Sequence, residues 1–284
     1  MSVVDLHVHS TASDGENTPA EVIHRAAAVR LSSIALTDHD TVGGIPEALA
    51  AGAERGVRVI TGCEFSVEVQ WGEMHLLAYF LPYDNPDLAQ FLTGEREKRV
   101  DRARAMVERL NRVKITTDAN AVLAEAAGGA VGRPHLARVL VRDGAVKTVD
   151  EAFHRFLGSG KPGYVPKDLP SVGEVTALVR GLGGVTSAAH LRSRASRTAL
   201  EQLHDAGVDA VEVIHPVHNR ATVDRIRGLA GDVGLLPTGG SDWHGDSALG
   251  SDRAALGSLR IPESWLSGIE LLHRERVANT ATAR

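Results

Sequence analysis

Two histidines, His7 and His9, stand two residues apart at the end of the first apolar run, in DLHVHSTASDG, with Asp14 just downstream. Taken alone, such a trio fits surface or core polarity as well as the opening of a metal site. The pattern then repeats along the chain. Asp38, His39 and Asp40 follow in LTDHD, Glu64 in GCEFS, His75 in MHLLAYF, His190 in AAH, His215 after DAVEVI, and Asp242 and His244 in GSDWH. In HVH and DWH the outer side chains sit at i and i+2, which on a strand point to one side and can grip one centre or two neighbouring ones. Imidazole suits zinc, iron and manganese, while carboxylates can bridge divalent ions. A set dominated by His with Asp and Glu therefore predicts two or three transition-metal ions, and neither calcium nor a structural zinc.

Each cluster falls at or just beyond the end of a predicted strand, the edge where parallel α/β folds gather ligands and catalytic groups. SVVDLHVHS, LSSIALTDHD, VRVITGCEFSVEV, MHLLAYFL, GGVTSAAH, DAVEVIH and GLLPTGGSDWH read as strands, with QWGE a turn between the third and fourth. Helical patterns separate most of them. TPAEVIHRAAAVR carries Thr18 as N-cap and Pro19 in its first turn, IPEALAAGAERG stops near Gly56, and two more run at about 196–206 and 219–230. This alternation predicts parallel strands in a barrel or doubly wound sheet. His75, near the start of its strand, is the exception, which an antiparallel neighbour would bring to the shared edge.

The rhythm breaks between about Pro86 and Pro170, where a long charged helix and DEAFHRFLG come with no clear strand. The expected organisation is a barrel in two parts, 1–85 and 171–284, with a mainly helical cap inserted over 86–170. RVANTATAR at the end reads as a loose tail.

At 284 residues, 43% hydrophobic and 24% charged, the chain is an ordinary globular protein able to bury a sizeable core. Its net charge of −5 gives no general attraction to nucleic acid, and 4% aromatic residues argue against a long stacking platform. The single cysteine, Cys63, excludes an intrachain disulfide and thiolate-rich zinc sites. No early segment reads as a signal peptide, and no apolar run approaches the roughly 20 residues that span a bilayer. A cytoplasmic enzyme or binding protein is the expectation.

Taken in order, DLHVHSTASDG, LTDHD, GCEFS, MHLLAYF, AAH and GSDWH closely resemble the metal-binding motifs of the PHP (polymerase and histidinol phosphatase) family, across essentially the whole chain. GRPHLARVLV and GKPGYVPK are similar to the branch of that family that hydrolyses phosphate esters of nucleotides and short RNA. The resemblance implies a distorted (β/α)7 barrel, of the α/β class, with up to three metal ions. Carried over by position, it gives His7, His9, Glu64 and Asp242 to a first ion. Glu64 as a bridge, with His75 and His190, would hold a second, and Asp14, His39 and His244 a third. One departure is Leu191, which follows His190 where the family usually carries Pro.

The implied reaction is metal-assisted hydrolysis of a phosphomonoester, with manganese the expected ion and iron or zinc as alternatives. The favoured substrate is a nucleoside 3′,5′-bisphosphate giving a nucleoside 5′-monophosphate, with 5′-to-3′ trimming of short RNA as a related activity. No stable duplex binding and no membrane association are expected. Arg133 and His135 in GRPH would contact phosphate, Arg through a bidentate fork. His218 in HPVHN is a candidate to protonate or bind the leaving group, while Lys161 and Arg192 are weaker candidates for a second phosphate. Arg96, Arg99 or Arg102 on the charged helix could steer a nucleotide, although a solvated helix face is the simpler reading. Asp38 and Asp40 read as supporting or capping groups, and Cys63 as a buried side chain turned away from Glu64. Histidinol phosphate hydrolysis, or a non-catalytic metal-binding accessory module, are the competing readings.

Overall fold

The computed structural model describes residues 3–126, 129–247 and 254–282. Seven strands follow one another in space as they do in sequence: β1 (Val3–Val8), β2 (Leu31–Leu36), β3 (Arg58–Val69), β4 (Gly72–Tyr79), β5 (Val185–Ala188), β6 (Ala210–Ile214) and β7 (Leu236–Gly239). All neighbouring pairs are parallel except those made by β4, which runs antiparallel to both β3 and β5. That one reversal pairs His75 with Ser66 and carries the start of β4 to the edge where the other strands end.

The two outer strands meet. The His9 amide donates to Trp243 O and the Asp242 amide to His7 O, both at 2.9 Å, so the sheet closes into a barrel. Closure needs glycine where β7 leaves the sheet. A Cβ on Gly240 would lie 2.2 Å from the Cβ of His7, so any larger residue would push β1 away. Inside, Leu6, Ala35, Ile60, Leu77, Tyr79, Val185 and Ala210 fill the barrel, and the Tyr79 hydroxyl donates across it to Leu6 O at 3.1 Å.

Helices α1 (Pro19–Ala28), α2 (Ile45–Arg55), α7 (Val172–Gly181), α8 (Arg197–Asp205) and α9 (Arg220–Val233) pack outside. The expected cap of α1 is present: Thr18 Oγ1 accepts the Glu21 amide at 3.2 Å, and Glu21 accepts the Thr18 amide at 2.8 Å. Helix α2 ends on Gly56, whose φ of +70° suits glycine. Between β4 and α7 the chain is helical: α3 (Pro86–Arg112), α4 (Ala119–Glu125), α5 (Arg133–Arg142), α6 (Val149–Ala152) and a π-helical turn, Phe153–Leu157. These elements bury their own apolar cluster around Met106, Leu110, Leu136, Leu140 and Leu157.

Two expectations are corrected. RVANTATAR is no loose tail over its described part. Helix α10 (Glu263–Thr282) runs through it, and residues 283–284 lie outside the described residues. The cause is a distant partner: Arg276 donates to Asp209 Oδ2 at 2.8 Å and to Gly184 O at 2.6 Å. Glu64, expected at the end of its strand, stands mid-strand, because β3 continues beyond the barrel edge to form a hairpin with β4. Among the described residues, no helix is long and apolar enough to cross a membrane.

Candidate metal centre and phosphate cleft

The strand ends deliver all nine candidate ligands to one cluster around Glu64. Its Oε2 lies 3.2 Å from His7 Nε2, 3.1 Å from His9 Nε2 and 3.2 Å from His39 Nδ1. Its Oε1 lies 3.0 Å from His75 Nδ1 and 3.2 Å from His190 Nε2. Asp242 Oδ1 stands 3.4 Å from His7 Nε2 and 3.3 Å from His9 Nε2. Asp14 Oδ1 is 3.2 Å from His244 Nε2 and 4.0 Å from His39 Nε2. Five groupings among the described residues have donor atoms within 4.8 Å of one another: His7–His9–Glu64, His39–Glu64–His75, His7–His190–Asp242, His9–Asp14–His39–His244 and His7–Glu212–His215.

Six imidazole nitrogens in this region are buried without a hydrogen bond: His7 Nε2, both nitrogens of His9, His39 Nδ1, His215 Nε2 and His244 Nε2. Buried polar atoms ordinarily find partners. Imidazole nitrogens that face carboxylates this way are what divalent cations satisfy, so the donor set fits such ions.

The electrostatics agree. Burial opposes ionisation of Glu64, yet His7, His39 and His75 hold its carboxyl well below the ordinary range. Burial likewise opposes the charges of Asp14 and Asp242, and the surrounding histidines hold both low. Burial pushes His9 down, but Asp242 and Glu64 reverse this and raise it to about 9. His75 is raised to about 9 against its burial, chiefly by Glu64. Three ionised carboxylates this close call for positive charge in the middle.

Supporting groups fix the ligands. Asp38 accepts from the Ser10 amide, the Ser10 hydroxyl and the Ser13 hydroxyl, each at 2.7 Å, pinning the loop that presents Asp14. Glu212, which the sequence reading did not single out, accepts from His7 Nδ1 at 3.1 Å and from the His190 amide at 2.8 Å. Its signal was a lone carboxylate between apolar neighbours in DAVEVIH. Leu191 is buried in the core, and the neighbouring His190 still reaches Glu64. Cys63 packs into the apolar cluster, as its alternation with Glu64 requires, and burial raises its thiol well above the ordinary value.

Beside the cluster lies a cleft of about 170 Å³ whose walls carry Arg99, Arg102, Arg133, His135 and Lys167. Arg99 is buried against Asp40, with Nε to Oδ2 at 2.8 Å. Lys167 pairs with Glu73 and reaches Ser66 Oγ at 3.2 Å. Burial and the nearby Arg133 push Arg102 down to about 10. Arg133 opens α5, its guanidinium carbon 5.6 Å from the centre of the Phe153 ring on the π-helical turn. His135 lines the same cleft and accepts the Gly132 amide on Nδ1 at 3.0 Å. Lys167, the last residue of GKPGYVPK, takes the wall position that the sequence reading offered to Lys161. Lys161 lines neither this cleft nor the one described next.

A wider cleft of about 570 Å³ adjoins the first. It shares Glu73, His75 and Arg133 and adds His190, Arg192 and Arg194. His218 does not face it with a free ring. Its Nδ1 bonds to Val213 O at 3.0 Å, and its Nε2 accepts the Arg192 amide at 3.1 Å. Both nitrogens are engaged by backbone, so in this geometry His218 has no free nitrogen to offer a leaving group.

The PHP domain family matches residues 5–156. The chain is 37% identical over 260 residues to the 3′,5′-nucleoside bisphosphate phosphatase of Chromobacterium violaceum, covering 89% of this chain and 90% of that one. It is 32% identical over 249 residues to the 5′-3′ exoribonuclease Rnm of Salmonella typhimurium, covering 85% of both. The crystal structure of a candidate metal-dependent phosphoesterase from Bifidobacterium adolescentis superposes with a TM-score of 0.85 at 31% identity. That match covers 95% of this chain and 96% of the other. With its closed seven-stranded barrel and clustered histidines and carboxylates, the chain belongs to the PHP family and is a metal-dependent phosphoester hydrolase.

Proposed function

We propose that the protein removes the 3′-phosphate of nucleoside 3′,5′-bisphosphates and, by the same bond cleavage, trims short RNA from its 5′ end. The observation that carries this reading is the cationic cleft beside the metal centre. Arg102 and Arg133 give this wall its positive charge, beside Arg99, which is paired with Asp40, and Lys167, which is paired with Glu73, and burial lowers the proton affinity of both Arg102 and Lys167. Such a wall is matched by a dianion, and a substrate with a second phosphate supplies one. The activities named for the Chromobacterium and Salmonella relatives support the same substrate class.

In this reading His7, His9, Glu64 and Asp242 hold one divalent ion. Glu64 with His75 and His190 holds a second, and Asp14 with His39 and His244 a third. Manganese is the expected ion, with iron and zinc also suited to this mix. When bound, such ions supply a more acidic water and positive charge against the phosphoryl oxygens. The protein orients the substrate: Arg133, with Arg102 beside it, holds the 5′-phosphate, so that the 3′-phosphorus lies over the Glu64 cluster. Water oxygen bonds to phosphorus, the P–O3′ bond breaks, and O3′ takes up a proton. The products are a nucleoside 5′-monophosphate and inorganic phosphate. A cytoplasmic location suits such nucleotides and is part of the proposal.

The test is phosphate release by manganese-loaded protein from adenosine 3′,5′-bisphosphate, adenosine 5′-monophosphate and histidinol phosphate side by side. The bisphosphate should give the highest kcat/KM by at least tenfold. Preference for either other compound overturns the assignment.

A further inference from the structure

The wider cleft suggests a substrate longer than a single nucleotide. Its lining includes the short helical turn Arg192–Arg194, one residue beyond the cluster residue His190. This turn is held in an unusual shape. His190 has φ +33° and Arg192 φ +53°, values that non-glycine residues rarely adopt. It is braced from behind by His218 on the Arg192 amide and by Arg225, whose guanidinium donates to the carbonyls of Ala195 and Arg192. Strained backbone of this kind persists where surrounding structure enforces it, and it gathers at ligand sites. The bracing holds Arg192 and Arg194 along the cleft, where Arg194 donates to Glu73 O at 3.2 Å and the Glu73 carboxylate is paired with Lys167.

Size and bond chemistry point the same way. The inner cleft, at about 170 Å³, falls below the roughly 300–1,000 Å³ of pockets that enclose a whole small molecule. In a bisphosphate the scissile phosphorus carries no further group. In an oligonucleotide the same P–O3′ bond breaks, but that phosphorus also carries the rest of the strand. With the 5′-phosphate in the inner cleft, the strand needs a second path away from the Glu64 cluster. The wider cleft offers one, adjoining the inner cleft at Glu73, His75 and Arg133 and continuing past His190.

We propose that the wider cleft is the exit channel for the downstream strand of a single-stranded oligoribonucleotide, with Arg194 pairing with one of its phosphates. The inference rests on the proposed phosphoester cleavage and adds the chain-length preference to it. The test compares kcat/KM for a 5′-phosphorylated tetraribonucleotide and for adenosine 3′,5′-bisphosphate in wild type, Arg194→Ala, Arg194→Lys and Arg194→Glu, each at about 50 and 200 mM salt. Loss of one charge-assisted contact should lower the tetranucleotide-to-bisphosphate ratio about tenfold in Arg194→Ala. The ratio should fall further in Arg194→Glu and recover in Arg194→Lys. The salt slope of the tetranucleotide KM should flatten by about 0.7 in Arg194→Ala. An unchanged ratio in variants that still turn over the bisphosphate overturns the channel alone. Wild type that ignores the bisphosphate overturns the reading on which it rests.

Discussion

Glu212 and His7 form a buried hydrogen bond of 3.1 Å in which the ring Nδ1 donates to the carboxylate, leaving Nε2 aimed at Glu64 and Asp242. The other Glu212 oxygen takes the His190 amide at 2.8 Å. One carboxylate thus orients two of the histidines that face Glu64. Replacing it by glutamine, Glu212→Gln, should weaken binding of divalent ions about 10- to 100-fold, as loss of such outer partners does. Competition against a chelator of known affinity measures this, and wild-type affinity in the variant contradicts it.

His218 is braced by backbone on both ring nitrogens, so it is assigned to holding the Arg192 turn and not to proton transfer. His218→Ala should destabilise the fold by about 1 kcal/mol in chemical denaturation, since the part-buried Arg192 amide loses its acceptor. It should raise KM while lowering kcat less than tenfold. A kcat loss of about a hundredfold or more, the size expected on removal of a general acid, would restore the catalytic role.

Arg99 on α3 and Asp40 beyond the end of β2 form a pair whose side chains are 13% and 5% exposed. Breaking a buried pair leaves one charge uncompensated, at about 3 kcal/mol or more. Arg99→Ala should therefore lower unfolding stability by about that amount. A loss under about 1 kcal/mol would show that the pair is screened like a surface contact.

In metal-free protein, His9 and His75 each hold a proton up to about 9, above the ordinary histidine value of 6.5. A raised histidine contributes stability fully below about 6.5, and that contribution is lost as pH rises through about 9. Protein treated with a chelator should therefore lose melting temperature between pH 6.5 and 9.5. A flat or rising profile over that window contradicts the charge arrangement of the site.

Much of this was legible in residue types. HVH and DWH announced paired same-side donors, and Thr18, Pro19 and Gly56 marked helix ends by local rules that operate within a few residues. The lone awkward position of His75 pointed to an antiparallel neighbour as one way to reach the shared edge, and β4 runs antiparallel to both of its neighbours. What stayed hidden depended on distant partners. Glu212 gains meaning only when β6 lies beside β1. Lys167 and Lys161 are indistinguishable until the loop is folded. The helical end of α10 rests on Arg276 meeting Asp209, 67 residues away in sequence. His218 looked chemically available because sequence shows a ring and not the two backbone groups that occupy it.

The central claim is that the cluster around Glu64 binds the metal that hydrolyses the substrate. It is tested most directly by measuring metal content and phosphate release from adenosine 3′,5′-bisphosphate on the same samples of wild type and Glu64→Ala, matched for fold by circular dichroism. Wild type should carry at least two divalent ions per chain and release one phosphate per substrate. Glu64→Ala should lose at least one ion and nearly all turnover. A folded Glu64→Ala protein that keeps its metal and its turnover would contradict the account.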